Sequence, residues 1–369
     1  MKKILYIVNL DQFFISHRID IAIEARKKGY EVHIATKITS GYDYLKENGL
    51  IVHPISLDRS SINPFSNLNT FYQIFTLIRS IRPSIVHMIT IKPMIFGCLA
   101  AYFSKVNSLV VSISGLGFVF SSRRFDVILL RLLIFNLYKL VFLHRNLSII
   151  FQNENDKKVI SRITSLKNKN TYLIPGSGVD LSLYSPGCNP EGIPIIMFAG
   201  RLLISKGVKD FIEASKLVNN AKFVVVGKFE KDNRDFVNPS YINKAVEQGL
   251  IEYWGFSSNM PDTLKQSSVV VLPSYYGEGL PKVLIEASAS GKPIITTDHP
   301  GCRDAVKHGE NGLIVPIKDV SKLAKAIQLL VDNCSIRRSM GERGRTISLV
   351  KYDINTVVRI HMKIYESNS

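Results

Sequence analysis

The sequence predicts an α/β protein built from two successive Rossmann-like units, and three observations carry that prediction. Strand-like apolar runs alternate with helix-like patterns along all 369 residues, the arrangement that makes parallel sheets with helical crossovers. A Gly-, Pro- and Ser-rich stretch at 173–186, LIPGSGVDLSLYSP, divides the alternation into two series and reads as an interdomain linker. The length suits two domains of roughly 150 residues, each able to bury its own core. A composition of 46% hydrophobic and 21% charged residues excludes collagen, coiled coil and wholesale disorder. The sequence shows no internal repeat and no low-complexity tract.

In the first series, strands are expected at 4–8, 31–35, 51–55, 84–87, 109–112 and 147–151, with helical patterns between them, for instance at 16–28 and 69–81. The opening Met1-Lys2-Lys3 and the apolar run after it mimic a signal peptide only briefly. Asn9 and Asp11 end the run and no small-residue cleavage site follows, so it reads as a first strand. The longest apolar stretch, 127–143, contains Arg131, Asn136 and Lys139 and is too short and too charged to span a bilayer. The second series runs through a strand at 194–199, a helix at 208–218, strands at 222–226 and 269–272, a helix after Pro281 and a strand at 293–296.

The 47 Lys and Arg against 30 Asp and Glu give a net charge of +17. That excess favours a phosphate-rich partner: nucleic acid, an anionic membrane surface or a phosphorylated ligand. It is concentrated in residues 1–180, which carry 23 basic against 11 acidic residues, compared with 24 against 19 in 181–369. Cys98, Cys188, Cys302 and Cys334 form no C-x-x-C pair. Such sparse cysteines argue against a disulfide scaffold or structural zinc and fit a reducing, cytoplasmic setting.

Two segments carry the chemistry. In PSYYGEGLPKVLIEASA (273–289) an apolar strand passes through a Gly-flanked loop into a helix that opens with Pro281, a position where proline is tolerated. Glu278 lies in the loop and Glu286 eight positions on; at helical rise they stand roughly 10 Å apart. That separation suits hydroxyls at opposite ends of a diphosphate better than a shared proton. The N–H groups of Gly279, Leu280 and Lys282 would face a phosphate at the helix N-terminus. Two solvated glutamates on an amphipathic helix would give the same E-x7-E spacing. In FAGRLLISKG (198–207), Gly200 ends a strand and Arg201 and Lys206 follow in the loop. That loop stands at the carboxyl end of a parallel sheet, where α/β proteins bind ligands. An Arg fork with a Lys point charge suits a diphosphate, although two solvated loop cations would look alike.

Together these segments resemble the retaining glycosyltransferases of family 4, which have the GT-B fold: two Rossmann-like domains facing each other across a cleft. The likeness extends over nearly the whole chain. It includes GKPIITTDHPGCRDAV and HGENGL within 291–312, and in the first half FFISHR (13–18), VHMITIKPMIFGCLAAY (86–102) and SISGLGFVF (112–120). The latter three look like the subgroup that builds bacterial surface polysaccharide, such as O-antigen or capsule, on a polyprenyl-diphosphate carrier. The resemblance implies an acceptor-binding domain at 1–180, a nucleotide-sugar-binding domain at 181–351 and a C-terminal helix at 352–369 returning to the first domain. It implies that Arg201 and Lys206 hold the donor diphosphate, that Glu286 binds the ribose hydroxyls, and that Glu278 lies against the donor sugar. The base would rest near Gly227 and the segment 254–257, which includes Phe256. Arg201, Lys206 and Glu278 are the expected catalytic group. The donor is expected to be a UDP-hexose or UDP-N-acetylhexosamine, with the anomeric configuration retained and no cofactor. Cations at the leaving group replace the metal that an Asp-x-Asp motif would bring, and no Asp-x-Asp occurs in the sequence.

On the acceptor side the expected residues are His17, Lys92, Gly115 and Gly117. Many family members place a histidine in the loop that here reads Gly115-Leu116-Gly117, so no histidine is named as essential; His17 and His87 are the nearest candidates. The stretch 123–145 repeats Arg124, Arg131 and Arg145 near multiples of seven, with Ile128, Leu129, Leu132, Phe135 and Phe142 on much of the remaining helical surface. Such a helix could lie in a bilayer interface, or be buried with one basic edge. Peripheral attachment to the anionic inner face of the cell membrane is the expected location. The alternatives are a nucleotide-sugar 2-epimerase on the same fold and a non-catalytic membrane-binding protein. A dinucleotide oxidoreductase is disfavoured because no G-x-G-x-x-G follows the first strand, and nucleic acid because no aromatic-basic RNA-binding motif is evident.

Overall fold

The computed structural model describes residues 1–57, 64–116, 131, 135–136, 138–139, 142–164, 166, 170–187, 192–230, 233 and 235–367. The chain divides into two compact units, one formed by Met1–Ser177 with Ile354–Ser369 and the other by Gly178–Asp353.

The first unit is built on β1 (Lys3–Leu10), α1 (Asp11–Lys27), β2 (Glu31–Lys37), α2 (Tyr42–Glu47), β3 (Ile51–Pro54), α3 (Pro64–Ile81) and β4 (Ile85–Ile89). It continues through α4 (Ile91–Phe103), β5 (Ser108–Ile113), β6 (Leu147–Phe151), α5 (Glu154–Ile163) and β7 (Asn170–Leu173). The strands form one parallel sheet in the order β3-β2-β1-β4-β5-β6-β7. Strands β4, β5 and β6 are buried at every position, as expected where continuous Val/Ile/Leu runs replace alternation because helices cover both faces. The strand order reverses between β1 and β4, which pair from Ile4 with Ile85 to Ile7 with Met88. Ligands of such sheets bind beyond the strand ends at that reversal.

Helix α1 begins at Asp11, not near residue 16 as its periodicity predicts. The reason is the Asp11 carboxylate, which accepts hydrogen bonds from the backbone N–H groups of Gln12 (2.8 Å), Thr39 (2.8 Å), Ser40 (3.0 Å) and Gly41 (2.7 Å). One group thus satisfies a first-turn donor and ties the loop after β2 to the end of β1.

The second unit begins with β8 (Ile195–Ala199), a 3₁₀ turn (Ile204–Lys206), α6 (Val208–Ser215), β9 (Lys222–Val226), α7 (Pro239–Glu247) and β10 (Glu252–Gly255). Then come α8 (Met260–Lys265), β11 (Val269–Leu272), α9 (Lys282–Ala289), β12 (Ile294–Thr297), β13 (Gly312–Val315), α10 (Val320–Asp332) and α11 (Cys334–Lys351). Its parallel sheet has the order β10-β9-β8-β11-β12-β13, the doubly wound order of a dinucleotide-binding fold with the reversal between β8 and β11. The 173–186 stretch is more than a tether: Leu173 closes β7, and Tyr184 is buried in the core of the second unit.

The final helix, α12 (Ile354–Ser367), belongs to the first unit and lies along α1. A buried polar chain fixes it: Tyr365 Oη meets Tyr6 Oη at 2.9 Å and His87 Nδ1 at 2.7 Å, and His87 Nε2 meets Ser112 Oγ at 2.7 Å. Burial, with His361 and Arg18 nearby, pushes the His87 imidazole well below its ordinary value. His87 is therefore a neutral core group with both ring nitrogens engaged, which corrects its expected candidacy for the site. Phe142, on the apolar side of the 123–145 stretch, is 4% exposed and packs in the sheet core, its ring 5.9 Å from that of Tyr138, so at this position the side chain is buried and does not face a bilayer. Most of 117–141, including Gly117, lies outside the described residues. Among the described residues no helix is long and apolar enough to cross a membrane.

Burial alone would raise the Asp11 carboxyl, but the hydrogen bonds from Thr39, Gly41 and Gln12 outweigh it and hold it below its ordinary value. Its contribution is thus present above pH ~4, the unfolded value, and lost as pH falls through the lower folded one. Asp11→Asn, which turns donors toward donors, should cost about 2 kcal/mol near neutral pH. The difference from wild type should shrink on acidification. An unchanged melting temperature at neutral pH would contradict this role.

Candidate active site

The site in the second unit is assembled from the loops that follow β8 and β11, on either side of the sheet reversal. The loop after β8 is clamped along its length. Leu202 N–H donates to Lys228 O (3.2 Å), Ile204 N–H to Asp235 O (2.8 Å) and Ser205 N–H to the Asp235 carboxylate (3.0 Å). From the other side Tyr275 N–H donates to Ser205 O (2.8 Å). Two glycines permit this closeness. Gly207 has φ +78°, and a Cβ there would stand 2.2 Å from Pro273 O; at Gly227 a Cβ would stand 1.8 Å from Gly200 O.

This clamping brings Lys206, 6% exposed, into an ion pair with Glu278 from the loop after β11. The second Glu278 oxygen accepts from Ser274 Oγ at 3.0 Å. The Ser274 backbone carbonyl in turn accepts from Thr297 Oγ1 at the end of β12. Arg201 pairs with Glu230 at 3.2 Å and stands 5.4 Å over the ring of Tyr276, which Lys206 approaches at 6.0 Å. Burial alone would lower the Arg201 guanidinium, but Glu230, Tyr276 and Glu278 outweigh it and raise it. Arg201, Lys206 and Glu278, more than 70 residues apart at the extremes, thus share one aromatic-floored position at the end of the sheet.

Glu286 lies on α9, 6% exposed, and accepts a hydrogen bond from Tyr184 Oη at 2.7 Å, with Lys282 Nζ at 3.5 Å. Burial, then the Glu286 charge, pushes the Tyr184 phenol up, so it remains a donor. Arg345 of α11 fixes that corner by donating to the carbonyls of Ala289 (2.8 Å) and Leu181 (3.1 Å) and to that of Tyr184. Gly227 O accepts from Tyr253 Oη (2.8 Å), and beside it Phe256, 67% exposed, carries Lys228 Nζ at 5.8 Å from its ring centre. The Leu280 side chain is in the core, so only its backbone, like that of Gly279, is placed to serve a ligand.

At the carboxyl edge of the first unit, His17 is half-buried on α1, stacked on Phe13 with centroids 4.2 Å apart and 2.6 Å from Ser16 Oγ. Lys92 stands in the first turn of α4 with Nζ 3.5 Å from Asn67 Oδ1, and Gly115 follows β5. Sequence reasoning missed three oxygens here. Asn9 Oδ1, Thr90 Oγ1 and Ser114 Oγ are buried and have no hydrogen-bond partner among the described residues, an exception that asks for a ligand or water. Asn9 is the penultimate residue of β1, and Thr90 and Ser114 directly follow β4 and β5; Thr90 has φ +75°, an outlier for a β-branched residue. Sequence reasoning also missed Tyr184, Glu230, Asp235, Ser274, Thr297 and Arg345. The partners of Tyr184, Glu230, Asp235, Thr297 and Arg345 lie too far along the chain for spacing to reveal them, although Thr297 stands inside the GKPIITTDHPGCRDAV stretch. Ser274 stands four residues from Glu278 within the 273–289 segment, where its serine reads only as a loop residue.

Two Rossmann-like units, with cations gathered beyond the strand ends of the second, define the GT-B class of glycosyltransferases. The family described as "Glycosyl transferase 4-like" matches residues 3–153, and that described as "Glycosyl transferases group 1" matches residues 188–347. The chain belongs to this family of glycosyltransferases. It is 29% identical over 337 residues to the N,N'-diacetylbacillosaminyl-diphospho-undecaprenol alpha-1,3-N-acetylgalactosaminyltransferase of Campylobacter jejuni, covering 87% of each chain. It is 24% identical over 311 residues to the UDP-Gal:alpha-D-GlcNAc-diphosphoundecaprenol alpha-1,3-galactosyltransferase of Escherichia coli, covering 79% of this chain and 77% of that one. Among solved structures, Anabaena Alr3699/HepE in complex with UDP superimposes with a TM-score of 0.78 at 17% identity, covering 100% of both chains.

The geometry makes the site depend on the approach of residue 227 to Gly200. Gly227→Ala should displace the Arg201 loop and weaken UDP binding by at least about tenfold, a cost of ~1.4 kcal/mol, read by titration calorimetry. Wild-type affinity in that variant would contradict a site held by this contact.

Proposed function

We propose that the protein transfers a hexose or N-acetylhexosamine from a UDP-sugar to a polyprenyl-diphosphate-linked glycan in surface-polysaccharide synthesis, with retention and without a metal. The observation that carries this reading is the convergence of Arg201, Lys206 and Glu278 at the sheet reversal of the second unit. The activities of the Campylobacter and E. coli relatives support the carrier-linked acceptor, and that of the latter supports a UDP donor.

In this reading the second unit binds the donor. Phe256 and the backbone near Gly227 offer a platform for the base, and Glu286, oriented by Tyr184, accepts from the ribose hydroxyls. Arg201 and Lys206 bind the diphosphate, and Glu278 accepts from hydroxyls of the sugar. As the bond from the anomeric carbon to the phosphate oxygen breaks, charge grows on that oxygen; fixed cations already in place stabilise it without reorganising. The acceptor hydroxyl forms the new bond on the same face, and its proton passes to the departing phosphate, so no protein base is needed. Tethered cations do the work that a divalent ion does elsewhere, which is why the chemistry is proposed to be metal-independent.

The first unit binds the acceptor at its carboxyl edge. Lys92 meets the acceptor diphosphate, with His17 and Gly115 at the same edge, and Gly117 is proposed from the sequence to serve the acceptor too. The oxygens of Asn9, Thr90 and Ser114, without a partner among the described residues, are suited to sugar hydroxyls. The enzyme works as a peripheral protein on an anionic leaflet, where such an acceptor is held. The Lys206–Glu278 pair has a particular consequence. Without donor, Glu278 neutralises the cation that the diphosphate needs.

Lys206→Ala should lower turnover by about 10²–10³-fold. Glu278→Gln should split the two functions, keeping or tightening UDP affinity while turnover falls by about 10² or more. Near-wild-type turnover in Lys206→Ala would remove the phosphate role. Product formed from a panel of UDP-sugars on a short-chain polyprenyl-diphosphate sugar should persist in EDTA and keep the donor's α configuration. A large anomeric proton coupling in the product would assign inversion instead.

A further inference from the structure

The first unit carries a charge segregation of which the proposed transfer chemistry uses only Lys92. From residue 59 to residue 125 the sequence has no Asp or Glu, although an even spread of the chain's 30 acidic residues would put about five there, and seven Lys and Arg fall within it. The described part of this stretch includes α3 and α4. Along α3 the exposed stripe runs through Phe65, Leu68 and Tyr72, at 83%, 65% and 62% exposure, and continues to Thr76 and Arg79 at helical spacing. Helix α4 ends on Tyr102 and Phe103, 62% and 64% exposed. Phe103 meets Phe71 of α3 edge-on, 6.4 Å between centroids, which joins the end of α4 to the same aromatic face. Arg82 and Lys105, both exposed, each stand three residues before the adjacent parallel strands β4 and β5, so the two cations neighbour each other where the helices end.

We propose that this face of α3 and α4 is the surface on which the protein lies against an anionic bilayer, an inference that rests on the membrane-held acceptor proposed above. Exposed aromatic and aliphatic side chains grouped on one helix mark an interaction surface. Tyrosine and phenylalanine beside cations fit the headgroup level of a membrane. The single sign of charge selects the partner. An anionic leaflet is uniformly negative, whereas a second copy docking by the same patch would set cation against cation. The surface differs from the 123–145 stretch, whose Phe142 is used up in the core.

The test is co-sedimentation of the full chain with vesicles of phosphatidylcholine alone or with about 30 mol% phosphatidylglycerol. Wild type should bind the anionic vesicles, and high salt should release it. The triple variant Phe65→Gln, Leu68→Gln, Tyr72→Gln should lose at least about tenfold in partitioning. Arg79→Gln with Lys105→Gln should abolish the preference for anionic lipid. Leu349→Gln with Val350→Gln, exposed on α11 of the second unit, should bind as wild type does. Transfer to a water-soluble short-chain acceptor should be unchanged in every one of these variants. A triple variant with wild-type melting temperature and wild-type sedimentation would overturn the proposal. So would a wild-type dimer that the triple variant converts to monomer, since a second copy would then cover the face. Failure of transfer by the wild type with every donor would instead count against the proposed reaction, leaving the vesicle result to judge the surface.

Discussion

The site in the second unit depends on how closely three strand ends approach one another. Gly207 lets the loop after β8 approach the backbone carbonyl of Pro273 after β11, Gly227 lets the loop after β9 approach that of Gly200, and a methyl group at either position would collide with a carbonyl oxygen. Everything at the site follows from that closeness. Lys206 is brought to Glu278, Arg201 is drawn over Tyr276, and Ser205 is held between Asp235 and Tyr275. Cations held this way lose little freedom when a ligand arrives, which is the physical content of preorganisation.

The supports of the site form a second layer that reaches deep into the unit. Thr296 and Thr297 of β12 donate to the carbonyls of Leu272 and Ser274, so the Glu278 loop is fixed from the neighbouring strand. Arg345 holds the 181–184 corner against the end of α9 and thereby sets Tyr184 over Glu286. The first unit uses the same device differently. There a buried carboxylate, Asp11, gathers the N–H groups of a loop 28–30 residues away, and a buried Tyr–His–Ser chain fastens the last helix.

Much of this was legible in the sequence, and what was not has a physical reason. Strands such as 4–8 and 222–226 are legible because continuous β-branched runs have few other uses, and the FAGRLLISKG and PSYYGEGLPKVLIEASA loops because glycines and charges stand at strand ends. The partners were not legible. Glu230 and Asp235 look like ordinary loop acids until the fold sets them against Arg201 and Ser205. Tyr184 sits in a stretch whose Gly, Pro and Ser read as linker, yet it is a core residue holding Glu286. The start of α1 was missed because Asp11 is stabilised by a loop distant in sequence, and His87 drew attention as a lone histidine at a strand end although its partners, Tyr365 and Ser112, make it structural.

In the proposed reaction Arg201 and Lys206 hold the donor diphosphate without a metal. The most direct measurement is calorimetric titration with UDP and with UMP, both in EDTA. Losing the β-phosphate removes charge-assisted contacts worth about 1.5–3 kcal/mol, so UDP should bind roughly 10- to 100-fold tighter than UMP. Substituting both Arg201 and Lys206 by Ala should erase that gap. Equal affinity of the wild type for the two nucleotides, or a preference for UDP that appears only when a divalent ion is supplied, would contradict the account.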